Sequence, residues 1–268
     1  MATKPLTGRN AIVTGSTQGI GLGIAKCLVE AGCSLLIHGS RPKERAKEAI
    51  DTLTAVANKS QIIDYCQADL SKPSVGCPKI IEQAKAVFGG KIHILVHNAG
   101  IQHVDPIDKF PLDAWDRLIS IHLTSGFLLT KLVVPIMKAE DWGRIINISS
   151  VHGKVASVGK AAYCAAKHGL NGLTKVVALD LADTAVTCNA ICPGWVHTPL
   201  VQKQVLALGK KRNLSEADAT KALLSEKTPT KRFVTCDEIG GMVTFLCSPA
   251  ANNITGSEMM MDGGWSAV

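Results

Sequence analysis

An apolar strand, Asn10–Thr14, runs straight into TGSTQGIGLG (Thr14–Gly23), and a helical stretch closed by Gly32 follows. Gly15, Gly19 and Gly21 allow a tight turn and a close approach of the backbone to a ligand. At the start of a helix, that ligand is favoured to be anionic, because the first N–H groups are unpaired and point outward. No Gly-Lys-Ser/Thr follows, so this is not a triphosphate loop. The choice is between a plain tight turn and a pyrophosphate cradle. Its place at the first strand–helix junction favours the cradle.

The rest of the chain repeats that junction. Apolar strands are expected at Ser34–His38, Ile62–Cys66, Ile92–His97, Gly143–Ile148, Ala185–Ile191 and Glu258–Asp262. Helices are expected at Pro42–Val56, Pro78–Phe88, Leu112–Lys138, Val158–Ala182 and Asp237–Leu246, with a kink or a late 3₁₀ turn at Pro135. Short apolar strands separated by helices imply an α/β fold: a three-layer, Rossmann-type, doubly wound parallel sheet flanked by helices. No linker divides residues 1–268, which read as one domain. The charged amphipathic run at about 199–235 falls beyond a strand's carboxyl end, where a small helical lid belongs.

Composition excludes several classes. The net charge of +7 comes without a long basic block. It suits a small anionic partner and gives no nucleic-acid footprint. No stretch approaches the roughly 18 uninterrupted apolar residues of a membrane span. The nine cysteines are odd in number and lack zinc spacing, so they read as reduced thiols of a cytoplasmic protein, with no metal site.

Two further places carry chemistry. Tyr163 and Lys167 share a face if their segment is helical. A nearby ammonium favours the phenolate, which is expected to lower the tyrosine's pKa. After the second strand comes Ile37-His38-Gly39-Ser40-Arg41, without the acid that often binds the NAD ribose. Arg41 suits either a 2′-phosphate or solvent, and Asp69 suits either an adenine edge or a helix cap. His97 reads as structural, His168 as pointing away from the site, and His197 as either near a cofactor or exposed.

Taken together, the motifs resemble the short-chain dehydrogenase/reductase family along essentially the whole chain. They are Thr14-Gly15-x-x-x-Gly19-x-Gly21, Asn98-Ala99-Gly100, Ser150 with Tyr163 and Lys167, and Pro193-Gly194. The resemblance implies a nicotinamide cofactor along Gly15, Thr17, Gly19, Ile20 and Gly21, past Asp69, Leu70, Asn98, Ala99 and Gly100. It would then pass Tyr163 and Lys167 to Pro193, Gly194, Val196 and Thr198. Tyr163 would be the general acid/base, Ser150 would hold the reacting oxygen, and Lys167 would hold the ribose. The family's fourth catalytic position, usually an asparagine, falls on His122. There the main-chain carbonyl holds a relay water and the side chain supports a local helix distortion.

The stretches Lys160–Ala182, Thr187–Gln204, Leu223–Pro229, Phe233–Thr235 and Asp262–Trp265 resemble the bacterial-type D-3-hydroxybutyrate dehydrogenases within that family. This implies a carboxylate grip by Gln102, His152, Lys160 and Gln204, with Trp195 on the methyl side. NAD is the implied cofactor, with NADP left open, and a homotetramer is the implied assembly. The alternatives are an NADP-dependent 3-oxoacyl-thioester reductase and a non-catalytic nucleotide-binding member of the fold.

Overall fold

The computed structural model describes residues 4–268. Seven strands form one sheet: β1 (Asn10–Val13), β2 (Ser34–Gly39), β3 (Ile63–Gln67), β4 (Ile94–His97), β5 (Gly143–Ile148), β6 (Val186–Pro193) and β7 (Glu258–Met261). Their order is β3-β2-β1-β4-β5-β6-β7, and every neighbouring pair is parallel. The order reverses between β1 and β4. In such sheets ligands bind in the crevice at that switch point.

Alternation along each strand supplies both faces. Ala11 and Val13 point into one apolar layer, with Ile24 and Leu28 of α1 (Gly19–Glu30), Leu53 of α2 (Lys47–Val56) and Val243 of the helix at Cys236–Leu246. Ile12 points into the other, with Ile80 of α3 (Pro73–Phe88) and buried residues of the helices between β4 and β6. Successive strand residues face opposite sides, so a strand covered on both faces reads as continuously apolar.

Two expected helix boundaries are corrected. α3 starts at Pro73 rather than Pro78; Pro73 sits in the first turn, while Pro78 lies inside the helix on an exposed face. A proline costs little where its missing N–H is unpaired anyway, which is why Pro73 suits the first turn. The long helix expected at Leu112–Lys138 is α4 (Leu112–Ile119), a π turn (Ser120–Thr124) and α5 (Ser125–Ala139). The break falls on the π turn holding His122, and Pro135 is accommodated inside α5. The span Leu112–Ala139 has the length and mean hydropathy of a membrane crossing. Here it forms one wall of the fold against α3 and against α6 (Ala161–Asp180), with Leu129, Val133 and Met137 fully covered.

The lid carries α7 (Pro199–Arg212) and α8 (Glu216–Ser225); α9 (Cys236–Leu246) follows it. Thr198 caps α7 by accepting from the Val201 N–H, and Ser215 caps α8 by accepting from the Asp218 N–H. A parallel bridge joins Val196 to Val234 and pinches the two ends of the lid together.

Candidate active site

The glycine turn is tight because three positions admit no side chain. Gly15 and Gly19 have φ of 62° and 55°. A Cβ on Gly15 would come 2.8 Å from the Ala99 Cα, and one on Gly21 would come 2.3 Å from the Gly15 carbonyl oxygen. α1 begins after Gln18 without any side-chain cap, unlike α7, α8 and α9. Its first N–H groups have no side-chain cap among the described residues, which suits a pyrophosphate. A cavity of about 280 Å³ opens nearby at the carboxyl ends of β2 and β3, lined by Ser40, Gln67, Ala68, Asp69 and Lys72 among others. It is a suitable place for the adenosine end of a dinucleotide.

Two residues hold this turn. The Asn98 amide donates to the carbonyls of Thr14 and Gly15 at 2.9 and 3.0 Å, so its side chain is spent on the loop. His38 was not singled out from sequence. Its Nδ1 accepts from the Gly15 N–H at 3.1 Å and its Nε2 donates to the Ala68 carbonyl at 3.0 Å. Burial pulls its pKa down to about 4, so the imidazole is a neutral strut between the turn and the end of β3. No sequence period signals a bond between residues this far apart. Asp69 lines the cavity and accepts from the Ser71 N–H at 2.9 Å in a turn ahead of α3; the helix-cap role is not seen, since the cap position of α3 is Lys72 and carries no side-chain cap. Arg41 is exposed, and its carbonyl accepts from the Tyr65 hydroxyl. Leu70, Ala99 and Val196 are buried beneath the crevice, and Thr198 stands 3.5 Å from where a Gly19 Cβ would lie. Thr17 reaches the space beside Gly39, and Ile20 packs into the α1 layer. The Gly194 N–H donates to Met261 at 3.0 Å, fixing the Pro193-Gly194 turn to β7.

At the carboxyl ends of β5 and α6's first turns, Ser150, Tyr163 and Lys167 converge. Ser150 is buried with extended backbone, and its oxygen accepts from the His152 N–H at 3.1 Å. The Lys167 ammonium lies 5.6 Å from the centre of the Tyr163 ring and donates to the Ile148 carbonyl at 2.7 Å. The pKa expectation is corrected here. Burial raises the Tyr163 phenol, opposed by a hydrogen bond from Ser150. Burial also draws Lys167 down to about 7, which weakens the cation that would have favoured the phenolate.

His122 lies against this set, edge-on to Tyr163 with centroids 5.2 Å apart and planes at 86°. Its Nε2 meets both the N–H of Ile101, at 3.1 Å, and the carbonyl of Ile101, at 2.8 Å. One ring nitrogen either accepts or donates, so each tautomer satisfies one of these groups and leaves the other. Its Nδ1 is buried and has no partner among the described residues. The His122 carbonyl accepts from His97 Nε2 at 3.1 Å. An asparagine amide carries both an NH2 donor group and a carbonyl acceptor and would serve both Ile101 groups. His122→Leu, which serves neither, is expected to lose about 1–3 kcal/mol of stability, and His122→Asn to lose markedly less. Thermal unfolding of the two variants checks this; equal melting temperatures would show that the Ile101 bonds contribute nothing.

The substrate cluster assembles only in part. His152 Nδ1 donates to the Val155 carbonyl at 3.3 Å, so its Nε2 accepts from the Lys160 ammonium at 3.4 Å. Burial, then Lys160, pulls the His152 pKa to about 4, and burial lowers that of Lys160. His152 is therefore neutral and orients Lys160. Trp195 stacks on Trp265, with centroids 6.2 Å apart and planes at 29°, and Trp265 meets His152 edge-on at 5.3 Å. Trp265 was missed because the terminal DGGW stretch gives no sign of where its indole points. Gln102 is exposed and Gln204 half-buried, and neither side chain is hydrogen-bonded among the described residues. His168 is exposed, and His197 is exposed against Phe233. All nine cysteines are free thiols.

Comparison with known proteins agrees with this geometry. A family model described as enoyl-(acyl carrier protein) reductase matches residues 15–266. The D-beta-hydroxybutyrate dehydrogenase of Cupriavidus necator is 50% identical over 98% of this chain and 99% of its own. That of Rhizobium meliloti is 41% identical over 97% of this chain and 99% of its own. A solved structure from Sinorhizobium meliloti 1021, provisionally described as a short-chain alcohol dehydrogenase, superposes with a TM-score of 0.87 at 30% identity over 99% of each chain. With the glycine cradle, the Ser–Tyr–Lys cluster and these full-length matches in agreement, the chain belongs to the short-chain dehydrogenase/reductase family.

Proposed function

We propose that this enzyme interconverts D-3-hydroxybutyrate and acetoacetate with NAD. The observation that carries the reading is the Lys160 ammonium, oriented by neutral His152, whose ring meets Tyr163 edge-on with centroids 6.1 Å apart. A short 3-hydroxy acid presents a carboxylate a few ångströms from its reacting oxygen, so one cation opposite the Ser–Tyr pair fits it.

A bound nicotinamide supplies the acceptor for the hydride. The cradle of Gly15, Thr17, Gly19, Ile20 and Gly21 would hold the pyrophosphate, with Asp69 and Leu70 near the adenine. Asn98, Ala99 and Gly100 would form the crevice floor. Lys167 would reach the ribose, and Pro193, Gly194, Val196 and Thr198 the amide end. In oxidation, the O–H proton passes to the Tyr163 phenolate oxygen as the C–H bond breaks. Ser150 donates to the same substrate oxygen, and Lys160, with Gln102 and Gln204 from the loop and the lid, holds the carboxylate. Trp195 and Trp265 supply the apolar wall. The reverse steps reduce acetoacetate, with Tyr163 returning the proton. A homotetramer in a reducing cytoplasm completes the reading, supported by nine unpaired thiols and exposed apolar residues such as Leu112, Phe127, Val176 and Leu179 along α4–α6.

Assay of both enantiomers with both cofactors tests it. The expected result is NADH from D-3-hydroxybutyrate. No turnover with either cofactor, together with reduction of a 3-oxoacyl thioester by NADPH, would sink it. Lys160→Ala is expected to raise the KM for 3-hydroxybutyrate by about ten- to a hundredfold, the loss of one charge-assisted hydrogen bond. The KM for methyl 3-hydroxybutyrate should change little; an equal rise for both would remove Lys160 from the carboxylate.

A further inference from the structure

A second cation stands at the same pocket with no assigned partner. Lys227 follows α8 at the foot of the lid, and its ammonium lies 5.4 Å from the centre of the Trp265 ring. The Lys160 ammonium lies 5.7 Å from the centre of the Trp195 ring. Since the two indoles stack, each lysine lies over one ring of a single aromatic platform, Lys160 from the start of α6 and Lys227 from the lid. Among the described residues neither lysine has a carboxylate within 4.0 Å. The neighbouring acid, Glu226, is taken by Arg212 at 3.2 Å. The charge on Lys227 reaches the pocket, lowering the pKa of both Lys160 and His152, though less than burial does.

Two like charges facing one pocket without an acid repel each other, and an anion between them reverses the sign of that interaction. A carboxylate has two oxygens, one for each ammonium. We propose that Lys227 is the second cationic arm of the substrate pocket, a specificity residue that arrives with the lid and pairs with the substrate carboxylate opposite Lys160. Lid closure is thereby coupled to substrate charge: an anion draws the foot of the lid inward, and a neutral alcohol of the same shape does not. This rests on the reading of the substrate as a short hydroxy acid.

Lys227 is exposed, so its replacement leaves the core intact. Lys227→Gln is expected to raise the KM for 3-hydroxybutyrate about five- to tenfold, the range of a partly solvated charge-assisted contact. It should leave the KM values for NAD and for methyl 3-hydroxybutyrate unchanged, and Lys227→Arg should restore the acid's KM. Equal effects on acid and ester, or none, would overturn the proposal while leaving the activity standing. A second measurement does not need turnover: indole fluorescence of the NAD complex titrated with acetoacetate. Weaker quenching in Lys227→Gln with recovery in Lys227→Arg supports the proposal. Equal titration in all three proteins, or in none, overturns it. If wild type fails to oxidise 3-hydroxybutyrate, the function reading falls and the titration alone decides Lys227.

Discussion

Replacing Tyr163 by phenylalanine is expected to lower kcat by about 10²–10⁴-fold, the usual contribution of a positioned general acid/base, while the KM for NAD changes little. The ring stays in place, packed edge-on by His122 and His152, so the loss is that of one oxygen. The pH profile follows from the same atom. Oxidation requires the phenolate, and burial raises the Tyr163 pKa, so kcat/KM for oxidation should climb through the alkaline range. Reduction of acetoacetate requires the protonated phenol and should fall over that range. Lys160 is also a titrating group on this limb, with its pKa lowered by burial. Running the profile with the uncharged methyl ester removes the contribution of Lys160 and leaves those of Tyr163 and of Lys167, which burial brings to about 7. Steady-state kinetics in both directions checks this; a Tyr163→Phe enzyme within a few-fold of wild type would place the proton acceptor elsewhere.

The second large effect belongs to Gly21. An alanine Cβ there would lie 2.3 Å from the Gly15 carbonyl oxygen and 2.5 Å from the Asn98 amide nitrogen. Neither contact yields cheaply. The Gly15 oxygen is backbone, and the Asn98 amide is what ties the crevice floor to the turn. Gly21 also lies on the buried side of α1, which is held against α9. Overpacking of this kind costs about 1–3 kcal/mol. Because the displaced atoms form the dinucleotide cradle, NAD affinity should fall at least about tenfold, the equivalent of 1.4 kcal/mol. Gly241→Ala is the control. It lies in α9 with nothing within 4 Å of a new Cβ, so a gain of about 0.5–1 kcal/mol is expected. Thermal unfolding and NAD titration of both variants test the pair. A Gly21→Ala protein that binds NAD normally would show that the turn relaxes.

Most of the framework was legible because its causes are local. Strand runs such as SLLIH are covered on both faces and so read as unbroken apolar segments. The glycine turn, Asn98-Ala99-Gly100 and the Ser150–Tyr163–Lys167 spacing are short motifs at strand ends. What the sequence hid is set across distance. His38 bonds Gly15 and Ala68, His97 bonds the His122 carbonyl, and Trp265 meets His152 only once β7 closes the sheet. The π turn was signalled only by the resemblance, which implied a helix distortion at His122, and not by residue type. SIHLT has ordinary helical residues, and the bulge serves to carry His122 to the Ile101 peptide. The Tyr163 pKa was misread because periodicity shows a neighbouring charge and says nothing of the burial that outweighs it.

The pinch between Val196 and Val234 makes the lid a closed loop whose ends are already fixed by the scaffold. The entropy of bringing those ends together is met by the bridge and the sheet behind it. Each doubling of such a loop's length adds only about 0.6 kcal/mol. The two lid helices are therefore a module that evolution can lengthen, shorten or exchange almost independently of hydride chemistry. Substrate range can diverge on one side of that neck while Ser150, Tyr163 and Lys167 stay where they are.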